Sequence, residues 1–139
     1  MYDARLTFGT RLASSSIADV RAGVEAALRA EGFGVLTEID VAATVRTRLG
    51  IDRPPYLILG ACNPQLSHQA LGIAPDLGAL LPCNVVIRED GEAVVVEAMD
   101  PQLMMGMVDD PGMAEIASEA RTRIRRAVAA VEGQFPAAG

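Results

Sequence analysis

Hydrophobic residues recur along the chain at two different spacings, and the spacing separates helical segments from strands. Apolar positions three or four residues apart predict amphipathic helices over 17–31 and 113–131. Shorter helices are predicted over 41–49 and 64–71. Alternating or continuous apolar runs predict strands over residues 2–10, 33–39, 56–62, 78–89 and 92–99.

Capping residues and one proline mark the ends of several of these elements. Ser16 and Asp40 are suitable N-caps for two of the helices. Asn63 followed by Pro64 is typical of a third helix start. Pro82 falls inside the fourth predicted strand. A proline there must lie on an edge strand, in a bulge or at the beginning of the strand.

A tight hairpin is predicted between the last two strands. Asp90-Gly91 is a strong signal for a two-residue turn. Such a turn directs Asn84 to one face of the sheet, across from Glu97. It places six apolar residues in pairs on the opposite face: Ile87 with Val94, Val85 with Val96, and Cys83 with Ala98.

The order of elements indicates an α+β fold. Because a tight hairpin requires antiparallel pairing, we expect an antiparallel sheet with the two long helices on one face. The other face would need cover, and a second copy of the chain is the simplest source, which predicts a homodimer. The length of 139 residues suits one domain over 1–139, with a frayed tail over 134–139.

The composition of the chain argues against two classes of protein, those that bind nucleic acids and those that associate with membranes. The chain has 12 basic residues, all arginine, against 18 acidic residues, for a net charge of −6. A net acidic chain argues against nucleic-acid binding, because phosphate contacts need a basic face. It also argues against binding to an anionic membrane, and no apolar run approaches the ~20 residues that span a bilayer. The absence of a signal-peptide pattern predicts a cytoplasmic protein with reduced thiols.

Four arginines stand close together in the C-terminal half of the last helix. Arg121, Arg123, Arg125 and Arg126 are spaced so that they scatter around the helix. There they would stabilise the negative end of the helix dipole. An anion-binding patch is the alternative interpretation.

The residues whose side chains are best suited to ligand binding or catalysis are two cysteine–asparagine pairs and a single histidine. Cys62-Asn63 ends one predicted strand, Cys83-Asn84 lies in the next, and His68 follows Cys62 by six residues. These five residues form a candidate ligand-binding site. Two thiolates and an imidazole suit zinc or copper, so Cys62, His68 and Cys83 are also a candidate metal site.

Two further interpretations of these residues stay open. Cys62 precedes a helix N-terminus, which stabilises a thiolate, and His68 would then act as a base. Asn63 or Asn84 would serve that thiol enzyme as an oxyanion donor. In the structural interpretation both cysteines are buried small hydrophobes and Asn63 is only a helix cap.

Three strings of residues resemble one known family. They are GACNP at 60–64 and LLPCNV at 80–85, preceded by GFGVLTEID at 32–40. Together they resemble the bacterial and archaeal family known as domain of unknown function 302, over roughly Leu6 to Val131. The resemblance implies a fold like that of the TATA-binding-protein class, with the order β-α-β(4)-α and a curved sheet. It implies no activity and no catalytic residues.

We therefore expect a non-catalytic small-ligand-binding or sensing homodimer that needs no cofactor. Its apolar pocket is expected between the sheet and the last helix, with the two Cys-Asn strings as polar groups. The predicted lining is Val85, Ile87, Val94, Val96 and the segment 99–107. The alternatives are a zinc-, copper- or thiol-dependent enzyme that uses Cys62, His68 and Cys83, and a purely structural dimerisation module.

Overall fold

The computed structural model describes residues 6–13, 16–104 and 107–138. The strands in those ranges are β1 (Thr7–Leu12), β2 (Gly34–Asp40), β3 (Tyr56–Cys62), β4 (Cys83–Asp90) and β5 (Ala93–Met99). The helices are α1 (Ile17–Ala30), α2 (Val41–Leu49), α3 (Pro64–Ile73) and α4 (Pro111–Gln134), with 3₁₀ helices over Pro75–Leu80 and Pro101–Met104. The predicted order of strand, helix, four strands and helix is confirmed, with α2 and α3 in the connections. The beginning of the first predicted strand, at residues 2–5, lies outside the described residues.

The strands pair antiparallel in the order β1-β5-β4-β3-β2. The outer edge of β1 is partly occupied, because Leu12 forms a bridge to Ala137 and the N–H of Ala138 donates to the carbonyl of Arg11 at 2.9 Å. Within the tail that was expected to fray over 134–139, Gln134 still belongs to α4, and residues 136–138 lie along β1. The outer edge of β2 carries no further strand within the described ranges.

Side chains cap the helices where the sequence predicts them. Ser16 Oγ accepts a hydrogen bond from the N–H of Asp19 at 3.1 Å. Asp40 Oδ1 accepts one from the N–H of Ala43 at 2.9 Å. Gly32 follows α1 with a φ of 84°, a conformation that glycine adopts at little cost, and this ends the helix.

The inner face of the sheet and the facing sides of α1 and α4 form a continuous hydrophobic core. Val24, Leu28 and Ile124 of the two helices are at most 2% exposed, as are Val85 and Val96 of the sheet. The space left between these described faces is about 10 Å³. The ligand pocket predicted between the sheet and the last helix is therefore wrong, because interlocking side chains of both layers fill it.

The hairpin between β4 and β5 turns one residue later than predicted. Asp90 pairs with Ala93, so the loop residues are Gly91 and Glu92. Gly91 takes the positive φ of 64° that the first loop position requires. Asp90 stays in the strand, where its carboxylate pairs with Arg11 of β1.

The later turn shifts the register of the hairpin by two residues. Ile87 faces Val96, and Glu97 faces Val86 instead of Asn84. Because side chains alternate along a strand, a shift of two residues keeps each side chain on its predicted face. Asn84 accordingly remains on the outer face, as predicted.

The fourth predicted strand is shorter than its apolar pattern indicates. Residues 75–80 form a 3₁₀ helix, and β4 begins only at Cys83. Pro82 thus precedes the strand, which suits a residue that has no N–H to donate to a neighbouring strand.

The outer face of the sheet at β5 is covered by side chains of the same chain. Val95 is fully buried, although it lies on the face away from α1 and α4. The register places it between Arg11 and Arg88, whose side chains pair with Asp90 and Glu97 across the face. The expectation that a second copy must cover the sheet is therefore wrong for this region, because long arginine stems cover it instead.

The longest helix, α4, is amphipathic along its length. Its inner side is buried in the core, whereas Arg123 donates to Glu119 at 2.7 Å and Arg126 donates to Glu31 at 3.0 Å. Among the described residues, no helix is long and apolar enough to cross a membrane.

Candidate functional site

Cys83 is a core residue. It lies at the start of β4 opposite Ala61 of β3, and its side chain is buried in the hydrophobic core. Burial raises the pKa of its thiol to about 11, and the nearby thiol of Cys62 adds to the shift. Such a thiol is protonated at neutral pH, which makes it a poor nucleophile and a poor metal ligand.

Cys62 is the more accessible of the two free thiols. It is half-buried at the end of β3, and its Sγ lies 3.2 Å from the hydroxyl oxygen of Ser67 on α3. The structure thus gives the Cys62 thiol a hydroxyl partner in the first turns of the helix that follows it.

Asn63 holds α3 against the end of α1. It is 6% exposed, and its Oδ1 accepts a hydrogen bond from the N–H of Leu66 at 3.1 Å. Its amide nitrogen lies against Gly32, where an added Cβ would stand 3.0 Å from it. Both contacts are structural, in agreement with the prediction that Asn63 is a helix cap.

The five residues predicted as a site do not converge. His68 is exposed on α3, and Asn84 is exposed on the outer face of the sheet opposite Gly60. In the part of the chain that the structure describes, no three His, Cys, Asp or Glu side chains lie close enough to hold a metal ion. The metal site predicted from Cys62, His68 and Cys83 is therefore not formed in this structure, because His68 lies exposed on α3 whereas Cys83 is buried in the core.

The space beneath the two Cys-Asn strings is small. A cavity of about 30 Å³ lies between α3, α4 and the ends of β3 and β4. A cavity of this size has room for a water molecule and none for an organic ligand. Its lining consists of Phe33, Ala61, Asn63, Leu66, Ser67, Ala70, Leu77, Leu81, Cys83, Ile116 and Ala120.

A larger cavity opens between β1 and α4, and we call it the β1–α4 cleft. Its volume is about 330 Å³. The aromatic ring of Phe8 forms one side, and the arginines and small apolar residues of α4 form the other. The cleft is lined by Thr7, Phe8, Gly9, Asp100, Arg121, Arg125, Val128, Ala129 and Glu132.

Two guanidinium groups of α4 lie over the Phe8 ring. The guanidinium carbon of Arg125 is 4.9 Å from the ring centroid, and that of Arg121 is 6.0 Å away. Both distances fall within the range of a cation–π interaction. Phe8 therefore holds the two arginines at the cleft, one helical turn apart.

The two arginines differ in their charged partners. Arg121 directs its Nε to both carboxylate oxygens of Asp100, at 3.1 and 3.3 Å. Arg125 makes no ion pair with any residue that the structure describes. The cleft therefore contains one neutralised and one unneutralised guanidinium group.

A second surface groove, of about 570 Å³, separates α1 from the β2-α2-β3 segment. Two ion pairs join charged side chains of this groove, whereas the guanidinium carbon of Arg53 lies 5.0 Å from the centroid of the Tyr56 ring. Arg21 donates to Glu38 at 2.6 Å, and Arg46 lies 3.7 Å from Asp52. The glutamate beside Arg21 raises the pKa of that guanidinium, which stays charged in any case.

Comparison with known proteins assigns the chain to a family. The family described as "Domain of unknown function DUF302" matches residues 9–131. The chain belongs to the DUF302 family. A solved DUF302 structure, an uncharacterised conserved protein from Bacillus stearothermophilus, is 26% identical with a TM-score of 0.83 and covers 91% of this chain and 98% of its own. The resemblance seen in the sequence is therefore confirmed.

Two curated proteins are also similar to this DUF302 chain. An uncharacterised protein of Aquifex aeolicus is 28% identical over 121 residues, which is 84% of this chain and 78% of that protein. The ATP-dependent dethiobiotin synthetase BioD of a Janthinobacterium species is 44% identical over 45 residues. That match covers 32% of this chain and only 19% of the synthetase.

Sequence reasoning did not identify Phe8 or Asp100 as site residues for this DUF302 chain. Phe8 falls within the first predicted strand, and Asp100 directly follows the last predicted strand. The arginines of the last helix were noticed as a possible anion patch, and their spacing of four residues places Arg121 and Arg125 on the same side. That spacing is the one local signal for the cleft.

Proposed function

We propose that this DUF302 domain is a non-catalytic binding domain for a small ligand, and that the ligand binds in the β1–α4 cleft. The observation that carries the proposal is the pair of guanidinium groups held over the Phe8 ring at a cleft of about 330 Å³. The volume falls at the lower end of the ~300–1,000 Å³ typical of small-molecule sites.

The composition of the cleft supports binding better than catalysis. Apolar walls with a few converging polar groups are typical of ligand sites. The Asp100 carboxylate fixes Arg121 at 3.1 Å before any ligand arrives, so binding would require little reordering of that side chain. The residues that line the cleft include no cysteine, serine or histidine, and their one hydroxyl, that of Thr7, donates to the Glu97 carboxylate, which also accepts a hydrogen bond from Arg88.

The Cys-Asn site, proposed from the sequence, has weaker support. The cavity beside it is about 30 Å³, the Cys83 thiol is buried, and Asn63 is used as a cap. The zinc, copper or thiol enzyme would need Cys62, His68 and Cys83 to share one point. We therefore place the ligand at the cleft and give the Cys-Asn strings a structural role.

The proposed homodimer has its best support at the free edge of β2. Leu36 and Ile39 on this strand are 68% and 50% exposed, and the backbone groups of its outer edge face no described strand. An unprotected apolar edge can pair with another strand. A second copy would extend the sheet by antiparallel pairing of β2 with its symmetry mate.

We also propose that the fold belongs to the TATA-binding-protein-like class. The element order β-α-β(4)-α, with α1 and α4 on one face of an antiparallel sheet, supports membership of the TATA-binding-protein-like class. This assignment carries no claim of DNA binding, since one fold hosts many functions. The net charge of −6 argues against such binding.

Filling the cleft tests the proposed function. Ala129 lines the cleft and is exposed on α4, whereas its neighbour Ala130 is exposed outside it. Saturation-transfer NMR with benzoate and benzamide as probes should detect binding to the native protein. We expect Ala129→Trp to remove the signal of both probes and Ala130→Trp to retain it.

Two results would contradict the proposed function. One is the absence of saturation transfer to both probes in the native protein. The other is equal transfer in the native protein and Ala129→Trp, which would place the probes elsewhere. Circular dichroism of the two tryptophan variants would confirm that each retains the native helix content.

A further inference from the structure

Resting on the proposed function, we infer that the ligand of the β1–α4 cleft is a small monoanion that carries a planar carboxylate on an apolar body. The inference names the chemical class of the ligand, which the proposed function leaves open. It follows from three features of the cleft: its donors, its charge balance and its walls.

The donors favour a planar oxyanion. Arg125 is engaged only by the Phe8 ring among the described residues, so its N–H groups are available to a ligand. Arg121 uses Nε for Asp100, which leaves the amines at the end of its guanidinium group outside that contact. Guanidinium groups match the geometry of a carboxylate with two parallel hydrogen bonds.

The charge balance favours a single negative charge on the ligand. Asp100 neutralises Arg121, so Arg125 supplies the one positive charge that lacks a close partner. Glu132 lies seven residues further along α4, which is about 10 Å along the helix axis and close to the screening length at physiological salt. A dianion such as a phosphate monoester would meet one free arginine and the repulsion of two carboxylates.

The walls favour an apolar body next to the carboxylate. Val128 and Ala129 line the α4 side of the cleft and the Phe8 ring lines the β1 side. A volume of about 330 Å³ admits a body of the size of one aromatic ring or a short branched chain. Burial of that body against these side chains would provide the part of the binding energy that does not depend on charge.

The test compares three probes that share one ring and differ in charge: benzoate, benzamide and phenyl phosphate. Their affinities would be measured by NMR titration at constant ionic strength with the native protein, Arg125→Gln and Arg126→Gln. Arg126 is the matched control, because it lies on the same helix but pairs with Glu31 outside the cleft. Both variants lose one positive charge, so a general change of surface potential affects them equally.

We expect benzoate to bind the native protein more tightly than benzamide and phenyl phosphate. Arg125→Gln should weaken benzoate about tenfold, the effect of losing a charge-assisted contact, and Arg126→Gln should leave it unchanged. Equal binding of benzoate and benzamide, unaffected by Arg125→Gln, would overturn the inference while the proposed function stands. Tighter binding of phenyl phosphate would also overturn it, and failure of all three probes to bind would overturn both.

Discussion

The two cysteines differ in what their surroundings allow, although each precedes an asparagine. Cys83 is shielded by the core and has a pKa of about 11, whereas Cys62 is half-buried and contacts the Ser67 hydroxyl. Asn63 and Asn84 differ just as much, since one is a buried cap and the other is exposed on the outer face of the sheet. Identical dipeptides thus take different roles because each lies at a different end of a strand.

The Cys83 thiol predicts a pH dependence of stability at alkaline pH. A folded-state pKa raised from 9.0 to about 11 gives a stabilisation that is complete below about pH 9 and is lost as the pH rises through about 11. Urea unfolding between these values should show a weaker pH dependence for Cys83→Ala than for the native protein. Cys62→Ala should keep most of the native dependence, because burial is the larger cause of the raised pKa of Cys83 and the Cys62 thiol the smaller one. An unchanged slope in Cys83→Ala would refute this role of burial.

The Asn63 cap should matter more than the exposed cap of α2. Asn63→Ala removes the hydrogen bond to the N–H of Leu66 and the contact with Gly32, at a cost of about 1–3 kcal/mol in the free energy of unfolding. Asp40→Ala should cost under about 1 kcal/mol, because Asp40 is exposed and α2 has no buried residues. Urea titrations of both variants measure the difference, and equal costs would argue that Asn63 is no more than a surface cap.

At the scale of elements, the arginines of helix α4 make contacts in two different places. Arg121 and Arg125, four residues apart, face Phe8 and the cleft. Arg123 and Arg126 face the end of α1, where Arg123 donates to the carbonyl of Glu31 at 3.3 Å and Arg126 to its carboxylate. The helical period of 3.6 residues separates the run into one pair at the end of α1 and one pair at the cleft.

The elements that could be predicted from the sequence are those whose ends depend on contacts between neighbouring residues. The starts of α1, α2 and α3 depend on caps within one turn, at Ser16, Asp40 and Asn63, and all three were predicted correctly. The turn of the β4-β5 hairpin was misplaced by one residue because Asp90 satisfies turn statistics equally well. Its ion pair with Arg11 of β1, a contact between distant segments, keeps it in the strand instead.

Two glycines, Gly91 in the hairpin and Gly72 in α3, offer a test in which alanine should change stability in opposite directions. Gly91 has a φ of 64°, so Gly91→Ala should destabilise the protein by about 1 kcal/mol. Gly72 lies inside α3 with open space around its Cα, so Gly72→Ala should stabilise it by about 0.4–1 kcal/mol. Thermal unfolding of the two variants gives both signs; stabilisation by Gly91→Ala would mean that the turn lies elsewhere.

At the scale of the whole molecule, the two edges of the sheet differ in how far they are covered. The β1 edge is partly covered by the segment around Ala137, whereas the β2 edge is open and carries exposed Leu36 and Ile39. The same asymmetry places the cleft beside the covered edge and the proposed dimer contact at the opposite side. Binding of a ligand and pairing of two copies would therefore not compete for surface.

Charge at the β2 edge should prevent dimer formation. We expect native mass spectrometry to show a dimer for the native protein and a monomer for Leu36→Lys, because the lysine would stand at the proposed contact. Met107→Lys is the control, since Met107 is 65% exposed and lies outside that edge. A native protein that stays monomeric at tens of micromolar concentration would refute the proposed homodimer.

The cleft itself could not be predicted from the sequence, because it depends on the placement of distant segments. Phe8 and Arg125 stand near opposite ends of the chain and meet only when α4 packs along β1. The predicted interior pocket failed for a related reason, since an apolar pattern does not show whether two layers will interlock. The sequence therefore indicates the layers of the fold and their faces, while surface cavities follow from the exact packing of the layers.

The most direct test of the binding function is to map where benzoate shifts the backbone amide signals in a heteronuclear NMR titration. We expect shifts confined to Phe8, Gly9 and the α4 residues Arg125, Val128 and Ala129, with little change in the groove between α1 and the β2-α2-β3 segment. Shifts centred on Arg21 and Tyr56 would place the ligand in the larger groove. Either that result or the absence of any shift would contradict the assignment of the β1–α4 cleft as the binding site.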